Sequence, residues 1–355
     1  MTFKNEKDME NMNIKRLAKE LNLSVSTVSK ALHDSYEIKA ETKEKVLALA
    51  KQLNYQPNPF ASSLRRNSSK TIAVVIPEIA HNFFSLVING IESIAEELKY
   101  HVLIYITHEI PEKEEQIIQH LLNGRVDGIL ISSSGTSNNN AHYHELLKKG
   151  IPFVFFDRAN FEIDAPRVIT DDYQAGFHAT EHLINSQCKH FAFLSLSNQM
   201  SAINHRKDGF LAALKQYQIE PSHVHIIEAG TDETLSFQII RDFLQALPES
   251  LGIFSSVEKL AIQTYHICKE INIIIPKQLK IISFSNLPTA ALLNPALSTL
   301  TQPAFSIGKE AALLLFQSIK NKGKIQPITT LPHIVLKSNL FIRESTKMQK
   351  LNQGE

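Results

Sequence analysis

The stretch Asn13-Ile-Lys-Arg-Leu-Ala-Lys-Glu-Leu-Asn-Leu-Ser-Val-Ser-Thr-Val-Ser-Lys-Ala-Leu32 carries two apolar stripes broken by a polar turn. Ile14, Leu17, Ala18 and Leu21 recur at helical spacing behind Asn13, a good N-cap, which predicts a helix over Ile14–Leu21. Asn22 and Leu23 make the turn. Ser24 then caps a second helix to about Leu32, with Val25, Val28 and Leu32 as its apolar positions. Two short helices joined this tightly form a helix-turn-helix. Downstream, Val46, Leu49, Ala50 and Leu53 stripe a third helix over Ala40–Asn54, and Tyr55 can close the small core.

The second helix offers Ser24, Ser26, Thr27, Ser29 and Lys30, side chains able to approach groove edges and phosphates. Each alone can equally be a cap or a solvated position; within a three-helix unit of this size they point to DNA. In Gln56-Pro-Asn-Pro-Phe-Ala-Ser-Ser-Leu-Arg-Arg66, Asn58 suits a cap and Pro59 a first helical position. Ala61 to Leu64 would complete a helix too short to hold alone. Leu64, beside Arg65 and Arg66, suits a minor-groove wedge flanked by phosphate clamps; the alternative is a plain linker.

Charge is unevenly spread. Residues 1–70 carry 13 Lys and Arg against 8 Asp and Glu, and the rest carry 24 against 28, within a net charge of +1 over 355 residues. A basic head on a slightly acidic body suits contact with a polyanion. The length predicts a small domain plus a larger two-lobed one. Cys188 and Cys268 are far apart with no CxxC spacing, so no disulfide framework, zinc site or other cofactor is expected. The first residues are polar and no stretch offers about eighteen uncharged apolar residues, which predicts a cytoplasmic chain without membrane association.

From Thr71 the pattern changes. Thr71–Ile76 is an uninterrupted apolar run, typical of a buried parallel strand. Helical stripes at 83–100, 112–122 and 142–149 alternate with strand-like runs at 101–107, 128–132 and 153–156. The alternation restarts with strands at 190–196, 225–228, 252–254 and 280–284 between helices at 175–186, 205–218, 236–247 and 260–270. A helix over Ser306–Lys320 precedes terminal strands around Ile334 to Lys337. Repeated βα units predict a doubly wound α/β architecture, here as two sheets around a cleft.

Ligands in such folds sit beyond the carboxyl ends of strands. That rule selects His81, Phe83 and Phe84 after the first strand, Asp157 and Arg158 after the fourth, and Asp171 and Asp172 at the lobe junction. It also selects Asn204 and Arg206 in the second lobe, with Ser285 and Asn286 after the 280–284 strand. Arg206, read as opening its helix, has donors in a fixed fork that suits an oxygen-rich ligand. The plainer readings are core packing for the phenylalanines, an Asp157–Arg158 ion pair, and an Arg206 pair with an acid across the cleft.

An enzyme is disfavoured. There is no GxSxG and no HExxH, and the first βα turn, Pro77 to Phe84, lacks the glycines of a phosphate-binding loop. The alternative to a DNA-binding regulator is a cytoplasmic sugar-type binding protein without a regulatory DNA role, but that leaves the head unexplained.

Both halves resemble the LacI/GalR family of bacterial repressors over nearly the whole length. The resemblance rests on Asn13 to Ala18, Leu23 to Leu32 and Tyr55 to Leu64, and on Val126-Asp-Gly-Ile129, Glu181-His-Leu183, Arg206-Lys-Asp-Gly-Phe210 and Pro295-Ala-Leu-Ser-Thr-Leu300. It implies a helix-turn-helix domain over 13–57, a hinge helix and linker over 58–70, and a periplasmic-binding-protein-like effector and dimerisation domain over 71–343. The implied lobes are 71–170 plus 299–328, and 171–298 plus 329–343.

By the same resemblance, Val25, Ser26 and Lys30 match base-reading positions, Thr27 and Ser29 match backbone contacts, and Asn58, Ala61, Leu64 and Arg65 lie on the hinge helix. The implied partners are palindromic operator DNA, a second copy of the chain, and a small effector of sugar type. His81, Phe83 and Phe84 match the pocket wall, and Asp157, Asp171 and Arg206 match polar effector contacts. Two departures stand out. Val257-Glu258 replaces the Asn-Asp of many sugar-binding relatives, and Ser285-Asn286 replaces an Asp pair, so a carboxylate for sugar hydroxyls is expected to be missing at Ser285. A phosphorylated, acidic or oligomeric sugar therefore competes with a simple one.

Overall fold

The computed structural model describes residues 13–55, 68–79, 82–123, 125–135, 140–197, 200–246, 250–321 and 332–347. Contacts divide the chain into two units, Met1–Ser69 and Lys70–Glu355.

The first unit folds as α1 (Ile14–Glu20), α2 (Val25–Leu32) and α3 (Ala40–Gln52). Asn13 accepts from the Lys15 and Arg16 amides, satisfying donors that α1 leaves unpaired. Asn22 adopts φ 53°, a left-handed conformation that ends α1 and lets the chain turn into α2. Leu17, Ala18, Val28, Ala31, Val46 and Ala50 make the core, with Tyr55 packed at its side. Burying each larger side chain contributes about 1.5–3 kcal/mol, so with so few of them each is a large share of this unit's stability.

The second unit contains two six-stranded sheets. The first lobe holds β1 (Thr71–Ile76), β2 (His101–Ile106), β3 (Gly128–Ile131), β4 (Phe153–Phe156) and β5 (Arg167–Thr170), with helices α4 (Asn82–Glu97), α5 (Pro111–Leu121) and α6 (Ala141–Lys148). The second holds β6 (His190–Ser195), β7 (Val224–Glu228), β8 (Leu251–Ser255), β9 (Leu279–Phe284) and β10 (Ser298–Thr301), with α7 (Asp172–Asn185), α8 (Ser201–Gln216), α9 (Glu233–Gln245) and α10 (Glu258–Glu270). Then come α11 (Ala304–Lys320), β11 (His333–Leu336) and β12 (Asn339–Phe341).

Strand orders are β11-β5-β4-β3-β1-β2 and β12-β10-β9-β8-β6-β7. The lobes therefore repeat one winding, each reversing direction beside its first strand, where such folds open a crevice. Central strands β3, β4 and β8 are buried throughout, whereas edge strand β2 is largely exposed. Continuous apolar runs are what strands covered on both faces require, although edge strand β2 also reads that way.

Each lobe carries one helix pair packed backbone to backbone. A Cβ on Gly90 of α4 would lie 2.1 Å from the Phe305 carbonyl oxygen, and one on Gly308 of α11 would lie 2.0 Å from that of Val87. In the second lobe, a Cβ on Gly176 of α7 would lie 2.3 Å from the Arg206 carbonyl oxygen, and one on Gly209 of α8 would lie 2.0 Å from that of Tyr173. Only glycine permits these crossings.

Some expectations change. Residues 299–301 belong to the second sheet as part of β10, not to the first lobe, and β11 joins the first sheet beside β5, not the second lobe. The chain thus crosses between lobes three times, after Thr170, after Thr301 and after Leu336. Strands β5 and β10 are four residues each and escaped the sequence reading. Helix α8 begins at Ser201, so Arg206 does not open it but stands in its second turn.

Candidate functional site

In the first unit, Ser24 caps α2: its Oγ accepts from the Thr27 amide at 3.0 Å and lies 2.8 Å from Thr27 Oγ1. Val25 is half-buried against the small core, and Val28 and Ala31 face inward. The opposite face presents Ser26 and Lys30 to solvent, with Ser29 at its margin. Lys30 Nζ pairs with Glu37 in the loop after α2. The pair is exposed on both sides, so it holds weakly. Tyr36 in the same loop is 93% exposed. The sequence reading passed over Tyr36 because a loop aromatic has no periodicity to mark it. Asn58, Ala61, Leu64 and Arg65 lie outside the described residues, as does His81.

In the second unit, α7 and α8 deliver a buried ion pair. Arg206 Nε donates to Asp172 Oδ1 at 2.7 Å and Nη1 donates to the Ser256 carbonyl at 2.7 Å. The guanidinium carbon stands 3.6 Å from the centroid of the Phe284 ring. The Gly176 crossing sets this geometry, since it lets the Arg206 backbone sit one turn from Asp172. Burial pushes the Asp172 carboxyl above its ordinary value, Arg206 pulls it down, and nearby Asp157 adds to the rise.

Arg206, expected as the ligand anchor with an acid pair across the cleft as the plainer alternative, does pair with an acid, but within the second lobe, through Asp172. Asp171, read as a ligand contact, instead accepts from the Ser338 amide at 2.8 Å and ties two of the inter-lobe crossings together.

The ends of β9 and β10 build a second polar group. Glu258 Oε2 accepts from Ser285 Oγ at 2.7 Å and from the Asn286 amide at 3.1 Å. The carboxylate absent at position 285 is thus supplied behind Ser285 by the first residue of α10. Sequence reasoning missed this because the two positions lie on different strand ends. Asn286 Nδ2 donates to the Gln302 carbonyl at 2.7 Å, and Asn82 of the first lobe donates to the Asn286 carbonyl. Gln302 Nε2 in turn donates to Asp157 Oδ1 at 3.1 Å and to Thr170 Oγ1 at 3.0 Å. These bonds form one polar chain from lobe to lobe through the crossing segment after β10.

Phe83 and Phe84 meet edge to face at 5.1 Å within the first-lobe core, where they are buried. Core packing accounts for both, and Phe84 also has the Arg158 guanidinium 5.9 Å above its ring. Arg158 pairs with Glu109, its Nη1 lying 2.9 and 2.6 Å from the two carboxylate oxygens, and approaches Asp157 only to 3.9 Å. The hydroxyls of Ser132 and Ser256, just beyond β3 and β8, are buried without a protein partner. Buried hydroxyls of this kind normally bind water or ligand. Among the described residues no group of His, Cys, Asp and Glu can hold a metal ion, and no helix is long and apolar enough to cross a membrane.

Comparison with known proteins bears on both units. Residues 13–58 match the model of bacterial regulatory proteins of the lacI family, and residues 69–338 match that of periplasmic binding proteins and the sugar-binding domain of the LacI family. The ribose operon repressor of Halalkalibacterium halodurans is 30% identical over 94% of this chain and 97% of that protein. Catabolite control protein A of Priestia megaterium is 29% identical over 95% of this chain and its own whole length. Among solved structures, a lac repressor dimer bound to operator and the anti-inducer ONPF matches with a TM-score of 0.82 over 95% of this chain and 99% of that one, at 20% identity. A LacI family regulator from Enterococcus faecium with bound ribose matches with a TM-score of 0.69 at 28% identity, over 79% of this chain and all of that one.

Proposed function

This chain belongs to the LacI family of bacterial regulatory proteins, and from that premise we propose a sequence-specific DNA-binding repressor, acting as a homodimer, whose grip on a palindromic operator is set by a saccharide held between the lobes. One observation carries the reading: a capped helix-turn-helix and a two-lobed α/β unit stand on the same chain. A protein that only bound sugar would have no use for the first.

Ser26 and Lys30, with Val25 at the edge, read base edges, while Ser24, Thr27 and Ser29 hold phosphates. Asn58, Ala61, Leu64 and Arg65 form the hinge, with Leu64 as the minor-groove wedge. In the cleft, Asp157 and the Ser256 hydroxyl accept from or donate to ligand hydroxyls. Arg206 anchors an oxygen from its seat on Phe284, while Ser285 and His81 contribute to the wall and Phe83 and Phe84 back it from the first-lobe core. Asp171 works at the hinge rather than on the ligand. The three crossings let the lobes rotate, and a ligand shifts operator affinity only by its preference for one lobe arrangement over the other.

The test is paired. A selection from random duplexes should return a palindrome bound with sequence preference, and a saccharide that raises the melting temperature should change affinity for that palindrome. A selection that returns no preferred sequence would remove the DNA role.

A further inference from the structure

A chamber of about 230 Å³ lies at the β2/β7 side of the cleft, away from the Arg206 group. Glu109 and Pro111, which follow β2, line it from the first lobe, and Leu196, Ser197, Met200 and Thr231, which follow β6 and β7, line it from the second. Asp157, Arg206, Phe284 and Ser285 do not contribute to its wall. Sites that enclose a whole drug-sized ligand run to about 300–1,000 Å³, so this chamber suits a fragment of about one ring.

The chamber leads toward the polar floor. Its Glu109 carboxylate holds Arg158, and Arg158 lies 3.9 Å from Asp157. Arg158 and Met200 also line a narrow second cavity with Ser133 and Ser201, so the two spaces share Met200 as a common wall. The lining combines hydroxyls and a carboxylate with the apolar surfaces of Leu196, Met200 and Pro111. A pyranose presents the same pairing, with hydroxyls around its rim and C–H groups on its faces.

We infer that the effector is an oligosaccharide of at least two units: one ring lies over Asp157 and Arg206, and the next lies in the chamber between Glu109 and Thr231. This deepens the saccharide reading proposed above and rests on it. Among its lining residues the one charged group is the Glu109 carboxylate, already paired with Arg158, so the chamber offers no unpaired cation to a phosphorylated ring, whereas a neutral glycan needs none.

The test is a thermal-shift screen of free hexoses and pentoses beside their own disaccharides and trisaccharides, with nucleobases and sugar phosphates in the same panel, followed by calorimetry on the best series. Three proteins are compared: the parent, Thr231→Trp, which fills the chamber from an exposed position, and Arg206→Ala. The parent should bind the best disaccharide about tenfold or more tightly than its monosaccharide, as a few added hydrogen bonds provide. Thr231→Trp should reduce the disaccharide to the monosaccharide's affinity and leave the monosaccharide unchanged, while Arg206→Ala weakens both. Equal affinities for the two lengths, or a disaccharide advantage that survives Thr231→Trp, would overturn the two-ring site and leave the saccharide reading standing. A panel in which no saccharide binds while nucleobases or phosphorylated compounds do would overturn both.

Discussion

Arg206 Nε meets Asp172 Oδ1 at 2.7 Å, and both side chains are almost wholly out of solvent. A buried pair of this kind contributes little net stability when intact, but breaking it strands a charge, at a cost of about 3–5 kcal/mol. Asp172→Asn should therefore destabilise the second unit by that order, read as a lowered urea midpoint. Arg206→Ala added to Asp172→Asn should cost less than the two single changes summed, because the second change removes the stranded charge. Strict additivity would show that the pair acts independently of its contact.

The Gly176–Gly209 crossing holds that pair in register. Gly209→Ala places a methyl where the Tyr173 carbonyl oxygen now lies, 2.0 Å away. Helices α7 and α8 must move apart, at about 1–3 kcal/mol. The same shift draws Arg206 away from Asp172, so ligand affinity should fall together with melting temperature. A variant that melts lower yet binds ligand at parent strength would uncouple the crossing from the cleft.

How much of this was legible in the sequence follows from which signals are local. Helices α1 to α3 were readable within two residues because caps and apolar stripes are local. The long central strands β1 and β6 were equally plain. Strands β5 and β10 were not, because their four residues mix polar with apolar side chains, unlike the equally short but wholly apolar β4, and their pairing is decided by neighbours far along the chain. The site divided the same way. Arg206 is legible from its motif, but its pairing with Asp172 is not, because the glycine crossing that joins α7 to α8 brings together positions far apart in sequence. Glu258 behind Ser285 was invisible for the same reason.

Two histidines give the second unit an acid-side dependence. Burial lowers the His182 imidazole below its ordinary value of 6.5; burial, with His223, His225 and Lys189 nearby, lowers His190. The folded state thus refuses protons that the unfolded chain accepts below about pH 6.5, so stability is full above that pH and falls as pH drops toward the lowered values. The urea midpoint should decline on going from about pH 7.5 to about pH 5.5, and a His182→Gln, His190→Gln double variant should flatten the decline. An unchanged slope in the double variant would assign the effect to other groups.

In the free head, Lys30 is paired with Glu37, and DNA must displace that carboxylate. Lys30→Ala should weaken operator binding by about 1–3 kcal/mol if the lysine reads a base. Glu37→Gln should act the other way, tightening binding to arbitrary duplex DNA and steepening its salt dependence, because a released lysine meets phosphate. Anisotropy across a range of salt concentrations reads both. A Glu37→Gln protein with the parent's salt slope would mean the ion pair does not compete with DNA.

The central claim is that occupancy of the cleft governs the head. Its most direct test is fluorescence anisotropy of the full chain on its selected palindrome, titrated with and without the best saccharide, for the parent and for Arg206→Ala. The account predicts that saccharide at a concentration just sufficient to saturate the parent changes the operator dissociation constant of the parent by about 5–150-fold, in either direction, and changes that of Arg206→Ala far less. A parent whose operator affinity is the same with and without a saccharide that calorimetry shows to be bound would contradict it.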